Sequence, residues 1–390
     1  MSKKRRNKDC KLWGRSSKKY ICSLLSDKKN NIYFTKNDLN TIKYKYDSND
    51  IVFYENKKTK KKFKNKPKDY SPKKYRKFTD VKEPRKTALK QLNKYLNELP
   101  IPNYVFAKTN AGFLKNAKYH RGNTEFILAD IASFYPNCRF CYVKDFFESP
   151  SGLMMNNNTA QCMAELVTTP ISETTNKRNI PQGFPTSTLI SFFAYKKMFN
   201  KLNDLARKNN LKFSTYVDDL TFSSFKPINN SDKLIEEISS ILSEYHHSLK
   251  KEKVKYLSVK DGKIPTITGI WVNKYKVRAS TKIYKKMMKA YHFVLSTKID
   301  SASSYLEVWK KYVQLKGLLN TVDYIEPKTK AKRKHVREIV EKNSSNFINY
   351  ISPYTKKINS NYWKGKFYAA YINKNLDDFY SKNKKYFKKR

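Results

Sequence analysis

The chain has 390 residues, with 82 Lys+Arg against 33 Asp+Glu for a formal net charge of +49. That length holds one large domain or two to three ordinary ones, and the charge predicts a polyanionic partner bound in a strongly salt-dependent way. Disorder is argued against by 29 Tyr and 23 Phe, which can fill a core and stack on bases.

The basic character is heaviest at the start: the first 90 residues hold 30 Lys+Arg and 9 Asp+Glu. Residues 1–8 are basic but are not followed by a secretory apolar segment, and no apolar run of about 18 residues predicts a membrane span. Eight lysines fall within 57–68 around the single apolar Phe63. Of these, Lys57, Lys58, Lys60, Lys61, Lys62 and Lys64 are candidates for contacting an RNA phosphate backbone. Like charges so dense predict an extended, mobile segment when free, and a solvated hairpin tip is the alternative.

From Lys82 the pattern turns helical. Pro84 can open a helix, Leu89, Leu92, Leu96 and Leu99 form its buried stripe, and Pro100 and Pro102 end it. Lys86, Lys90 and Lys94 fall on its wet side. The segment 124–130 reads as a buried strand ending on Asp130, with a helix expected through Phe147. Residues 150–180, asparagine-rich around a helix at 159–168, read mainly as a surface excursion. Of five cysteines, Cys138 and Cys141 form a Cys-x-x-Cys, but no further ligands at zinc spacing accompany them, so reduced, buried thiols are expected.

The turn-rich Ile180-Pro181-Gln182-Gly183-Phe184-Pro185 leads into a helix with Ser187 as N-cap and Leu189, Phe192, Phe193, Leu202 and Leu205 inward. Then Ser214-Thr215-Tyr216-Val217-Asp218-Asp219-Leu220-Thr221-Phe222-Ser223 alternates as two strands around adjacent aspartates. Like charges at a hairpin crest repel unless a cation lies between them. Hard divalent ions take carboxylate and phosphate oxygens, so the pair points to phosphoryl transfer. An amphipathic helix over 232–249, N-capped by Ser231, follows. Two short strands are expected around Asp261-Gly262-Lys263. Residues 281–345 read as largely helical, with Tyr305, Trp309, Tyr312, Leu315 and Leu319 on one face.

The string Tyr216-Val217-Asp218-Asp219 resembles the motif of reverse transcriptases, and Asp130 and Gln182-Gly183 precede it in the family's order and spacing. Asn116-Ala117-x-x-His120 and Ile267-Thr268-Gly269 resemble retron and related bacterial defence-associated members. The resemblance covers about residues 75–325. It implies an α+β right-hand polymerase: fingers, a palm of antiparallel sheet packed on helices, and a helical thumb. The boundaries read from it are a basic N-terminal extension (1–80), fingers and palm (81–278), thumb (279–345) and a basic tail (346–390).

The resemblance further implies two magnesium ions, with manganese as substitute, held by Asp130, the Ile131 carbonyl and Asp218, with Asp219 in support. Tyr135 would exclude a ribose 2′-hydroxyl; Gln182 and Gly183 would line the nucleotide pocket. Lys253, with Lys255 as fallback, would protonate pyrophosphate. Lys115, Lys118 and Arg121 could touch triphosphate or template. Asn116 and His120 are assigned to RNA binding, His120 to folding or RNA placement rather than chemistry.

Partners implied are deoxynucleotides, a structured noncoding RNA template or primer, its cDNA, and an accessory effector protein or a second copy. The setting implied is the bacterial cytoplasm in anti-phage defence, with no membrane involvement. Thr188 and Phe192 depart from the family's Pro and Asn, and Phe184 is larger than usual. These changes leave room for a polymerase with weak template instruction, or for a silent RNA-binding scaffold of the same fold.

Overall fold

The computed structural model describes residues 7–42, 51–59, 61–71, 74–108, 112–171, 177–297 and 302–342. Lys60 and the basic tail from 346 lie outside them. The chain divides into two compact units. The first comprises residues 1–268 and 272–276, the second 269–271 and 277–390.

In the first unit, helices α1 (Lys18–Leu25) and α2 (Lys36–Thr41) are followed by strands β1 (Ile51–Asn56), β2 (Lys62–Phe63) and β3 (Tyr75–Asp80). The three strands form one antiparallel sheet in the order β2-β1-β3. The lysine-rich stretch is thus a closed hairpin rather than an extended segment. Asn56 Oδ1 caps its turn by accepting from Lys58 N at 2.9 Å and Thr59 N at 3.0 Å. Aromatic rings offset the lysine repulsion. Tyr54 and Tyr70 meet edge-on at 5.2 Å, and Tyr70 stacks on Tyr75 at 6.1 Å. The ammonium groups of Lys61 and Lys66 sit over Phe63 and Tyr70 at 5.6 and 5.2 Å.

Helix α3 (Arg85–Glu98) buries Leu89, Leu92 and Leu96 as the leucine spacing predicts. After α4 (Gly112–Tyr119) comes strand β4 (Glu125–Asp130), almost wholly buried. The helix expected through Phe147 is two: α5 (Phe134–Asn137) and α6 (Phe140–Glu148). Helix α7 (Asn157–Val167) corrects the surface excursion: eight of its residues, Thr159, Ala160 and Cys162–Val167, are buried. Its asparagine-rich entry is a cap, with Asn156 accepting from Thr159 N at 2.9 Å, and its Ala, Cys and Met residues let neighbouring helices approach. Strands β5 (Thr169–Pro170) and β6 (Arg178–Asn179) form a short ladder.

Helices α8 (Ser187–Ala194) and α9 (Lys196–Lys208) divide at Tyr195. Ser187 is the first helical residue rather than the cap, because its hydroxyl donates back to Pro181 O at 2.6 Å. Strands β7 (Lys212–Tyr216) and β8 (Asp219–Ser224) form the aspartate hairpin. Helix α10 (Ser231–Glu244) starts at Ser231 itself, with Asn230 in the left-handed region before it, and ends five residues before Leu249. Strand β9 (Lys255–Ser258) completes a four-stranded sheet in the order β7-β8-β4-β9. Ile127, Ala129, Phe213, Leu220 and Phe222 bury one face of that sheet in the main core. Cys10, Leu12, Ile21, Leu25 and Leu39 join the same core, so the basic N-terminal stretch is an integral part of the first unit. Among described cysteines all are free; Cys141 alone is exposed, against the expectation of burial.

Short strands β10 (Thr266–Ile267), β11 (Ile270–Val272) and β12 (Val277–Ala279) come next, so this region carries one more strand than expected after the Asp261-Gly262-Lys263 turn. In the second unit, α11 (Thr281–Ser296) packs on α12 (Ala302–Ile325). Tyr312, Leu315 and Leu319 are buried there as expected. The Tyr305 side chain lies outside the described set. Asp323 binds both Arg333 Nε at 2.8 Å and Arg337 at 2.6 Å, closing the unit's helical end.

Candidate active site

The register of the four-stranded sheet decides which acidic residues meet. Asp130, the last residue of β4, pairs with Asp219, the first of β8, and Asp218 lies in the turn beside them. Ile131 N donates to Asp218 O at 2.9 Å and Lys250 N to Asp130 O at 2.8 Å, tying the strand end to both neighbours. Val217, on the other side of Asp218, takes φ 63°, a conformation a β-branched residue adopts only at a cost. Its carbonyl accepts from Thr215 Oγ1 at 3.0 Å.

Three carboxylates so close disfavour full ionisation. Burial, then the Asp130 charge, raises the Asp218 carboxyl above its usual range. Asp219 is exposed, yet crowding by surrounding protein followed by the charges of Asp218 and Asp130 pushes it up to about 6. Lys253 forms an ion pair with Asp130. Burial works to lower the Lys253 ammonium, but the hydrogen bond and charge of Asp130, with Asp219 and Asp218, outweigh it and raise it. Lys253 is therefore the lysine the fold brings to the carboxylates. Lys255 lies opposite Leu128 in β9.

Tyr135 is half-buried behind the cluster, its hydroxyl 3.3 Å from Thr188 Oγ1. Burial pushes its phenol up to about 12, a rise the Thr188 hydrogen bond opposes and the nearby Asp218 charge assists. Thr188, where the resemblance has Pro, thus meets the Tyr135 hydroxyl. The Gln182-Gly183 turn seats β3: Gln182 O accepts from Thr79 N at 2.9 Å. Gly183 has φ 113°, and a Cβ there would lie 2.6 Å from Thr79 O. Glycine is required for close backbone approach as well as for its dihedral.

Two cations near the site carry no mark in the local sequence. Arg76 on β3 and Lys250 lie within electrostatic reach of the cluster: Arg76 lowers Asp218, and Lys57 is lowered by burial, then by Arg76, Lys250 and Lys253. The base of the lysine hairpin is therefore within electrostatic reach of Lys253, the lysine paired with Asp130. No local pattern marks Arg76, because its relevance comes from the pairing of β3 with the Gln182-Gly183 turn.

Several expected residues lie elsewhere. Asn116 and His120 are 1% and 0% exposed, which removes them from any RNA-contacting surface. Lys115, Lys118 and Arg121 are exposed on α4 and the turn after it. Lys118 and Arg121 stand near the start of β4, about 17 Å of strand from Asp130 at its end. They are not brought to the nucleotide site. Phe184 and Phe192 are corrected as well. Phe184 is buried beneath the Arg85 guanidinium at 4.9 Å, and Phe192 packs on Phe193 and Phe199 at 5.3 and 5.8 Å. Both rings are thus packed into the core. A cavity of about 300 Å³ beside this site is lined by Asn93, Lys108, Thr188, Tyr216 and Val217 among others.

Among the described residues, no three His, Cys, Asp or Glu side chains converge into a closed metal cage. The oxygen donors at the end of β4 still suit a magnesium-like ion. Such an ion takes one or two protein carboxylates and fills its remaining positions with water and phosphate.

A mixed fold whose antiparallel sheet gathers aspartates at one end, beside a lysine and a turn-seated three-stranded sheet, has the parts of a nucleotidyl-transferring polymerase. Residues 59–293 match the family model for reverse transcriptase (RNA-dependent DNA polymerase), and the chain belongs to that family. It is similar to Retron Se72 reverse transcriptase of Salmonella heidelberg (strain 579083-10), 26% identical over 226 residues. That match covers 56% of this chain and 56% of the relative, so the chain spans about half the length of the curated protein it matches. Among solved structures it is similar to the telomerase of Candida albicans, determined with a fragment of telomeric RNA. The identity is 14% over 64% of this chain and 46% of that one, at a TM-score of 0.35.

Proposed function

We propose that this chain is a retron-type RNA-directed DNA polymerase that extends a primer 3′-hydroxyl with deoxynucleotides. The observation that carries the reading is the meeting of Asp130, Asp218 and Asp219 at one strand end with Lys253 against them. Asp130, Asp218 and the Ile131 carbonyl would hold the divalent ions, with Asp219 beside them. When bound, magnesium (or manganese) supplies activation of the attacking hydroxyl and neutralisation of the triphosphate.

The chain's own residues do the rest. Lys253, held beside the carboxylates by its ion pair with Asp130, would deliver a proton to the departing pyrophosphate. Arg76, Lys57 and Lys250 offset the triphosphate charge. Tyr135, steadied by Thr188, closes the space a ribose 2′-hydroxyl needs. The β2-β1-β3 sheet serves as fingers, the four-stranded sheet as palm, and the α11–α12 pair as thumb.

The template is a dedicated, structured noncoding RNA, by analogy with the retron relative, and the setting is anti-phage defence in the bacterial cytoplasm. No helix among the described residues is long and apolar enough to cross a membrane. The test is to sequence nucleic acid copurifying with the wild type and with Asp218→Ala. The wild type should carry cDNA complementary to one RNA, and the variant the RNA alone. Untemplated DNA, or no DNA with the wild type, overturns the reading.

A further inference from the structure

The residues around His120 form a buried hydrogen-bonded chain that the proposed chemistry does not use. His120 Nδ1 lies 2.6 Å from Ser223 Oγ and Nε2 lies 2.7 Å from Ser214 Oγ. Ser214 Oγ donates to Asn116 Oδ1 at 2.6 Å, and Asn123 Nδ2 donates to Ser223 Oγ at 2.5 Å. His120, Asn116, Ser214 and Ser223 are each at most 1% exposed, and Asn123 is 7% exposed.

These four bonds fix the proton positions. Asn116 Oδ1 takes the Ser214 hydroxyl proton, so Ser214 Oγ can only accept from His120, and Nε2 carries the hydrogen. Nδ1 of the neutral ring is then an acceptor and takes the Ser223 hydroxyl proton, leaving Ser223 Oγ to accept from Asn123. Every donor has one acceptor and the chain runs in one direction. A second proton on the ring would turn Nδ1 into a donor and leave the Ser223 hydroxyl proton without its acceptor.

Where the chain sits gives it a consequence. Ser214 is four residues before Asp218, on β7; Ser223 is four residues after Asp219, on β8. Strand alternation and register put both serines on the same sheet face as Asp219 and Asp130. Helix α4 therefore covers one end of the face whose other end presents the carboxylates. Like charges at that end push the hairpin apart, and Val217 adds strain at its crest. Apolar side chains could have filled this space with no polar group to satisfy. A satisfied polar chain adds fixed distance and direction.

We propose that His120 is a positioning residue for the Asp218–Asp219 turn, its neutral imidazole linking the two arms that carry those carboxylates. The inference rests on the polymerase reading above. Thr268 Oγ1 donates to Phe113 O at 3.1 Å at the other end of α4, so both retron-like motifs fasten this helix.

The test uses Ser214→Ala, Ser223→Ala and the double variant in the full chain, each substitution removing one oxygen with little change of shape. Single-turnover incorporation is measured at saturating deoxynucleotide, alongside nucleotide KM, RNA affinity, thermal midpoint, and Mn2+ binding by electron paramagnetic resonance. The double variant should lose about tenfold or more in rate, as small misplacements at a reacting centre do. Its KM and RNA affinity should hold while Mn2+ binding weakens.

A lowered midpoint with unchanged rate and Mn2+ binding, at a temperature where both proteins are folded, overturns the proposal. His120→Ala serves as the severe comparison; if it does not fold, the serine variants decide. If the wild type makes no DNA, the polymerase reading has failed, and the Mn2+ and midpoint comparisons still judge the positioning role.

Discussion

Asp130 and Asp219 stand directly opposite each other across antiparallel strands, the last residue of one facing the first of the next. With Asp218 in the adjoining turn, this arrangement is costly until a cation arrives. The folded protein holds its proton on Asp219 up to about pH 6, whereas an unfolded aspartate releases it near pH 4. In that window the folded state binds more protons than the unfolded one, so stability falls as pH rises through it. Metal-free protein should therefore be less stable at pH 7 than at pH 5 in respect of this group, and magnesium should restore what is lost. Asp219→Asn should stabilise the metal-free protein at pH 7 by roughly 1 kcal/mol, discounted for the exposure of the side chain, while abolishing synthesis. Thermal midpoints with chelator and with magnesium check both. No gain in metal-free stability would show that the carboxylates do not strain the fold.

Tyr135 and Thr188 give a second prediction. Tyr135→Ala should admit ribonucleotides far better while weakening deoxynucleotide use only modestly. Thr188→Val, which removes the hydroxyl 3.3 Å from the Tyr135 hydroxyl, should move discrimination in the same direction by a smaller factor. The measurement is the ratio of kcat/KM for matched ribo- and deoxynucleotides. If neither variant shifts that ratio, Tyr135 is a core aromatic only.

Gly183→Ala is the third. The new Cβ would lie 2.6 Å from Thr79 O at a φ of 113°, so β3 must leave the turn or the turn must deform. A loss of about 2 kcal/mol or more is expected from overpacking and backbone strain together. Because Arg76 sits on the same strand, nucleotide KM should rise as well. Urea unfolding and steady-state kinetics separate the two effects, and an unchanged KM would detach Arg76 from the site.

Much of this site was legible in the sequence, for physical reasons that differ by residue. Asp130 and Asp219 sit on strands whose period-two pattern is local, with Asp218 in the turn between two of them, and the leucine stripe of α3 repeats at helical spacing. Arg76, Lys250, Ser214 and Ser223 were not legible, because their roles come from strand register and cross-chain pairing. The direction of Phe184 was hidden for the same reason: it depends on the buried Arg85, far earlier in the chain, which also donates to Leu166 O at 2.8 Å and Thr168 O at 3.0 Å. Asparagines misled the reading of α7, since one caps the helix and the rest mask a small-residue core. His120 was separable from chemistry in the sequence, but its burial was not.

The last prediction concerns the lysine hairpin. Lys58, Lys61, Lys62 and Lys64 are exposed on β2 and its flanking turns, where Tyr54 meets Tyr70 edge-on and the Lys61 ammonium sits over Phe63. Replacing these four with glutamine should leave the fold intact and weaken RNA binding for all sequences alike. Every phosphate left unneutralised flattens the log–log salt dependence by roughly 0.7–0.9, so the slope should fall by up to about three. Lys57 is kept out of the set because it lies close to Lys250 and Lys253 and its removal would disturb the carboxylate site directly. Incorporation on a preformed primer–template should suffer less than RNA capture. A salt titration of RNA affinity for the two proteins measures the effect. Identical slopes would mean that the hairpin's charge serves solubility and that RNA is held elsewhere on the chain.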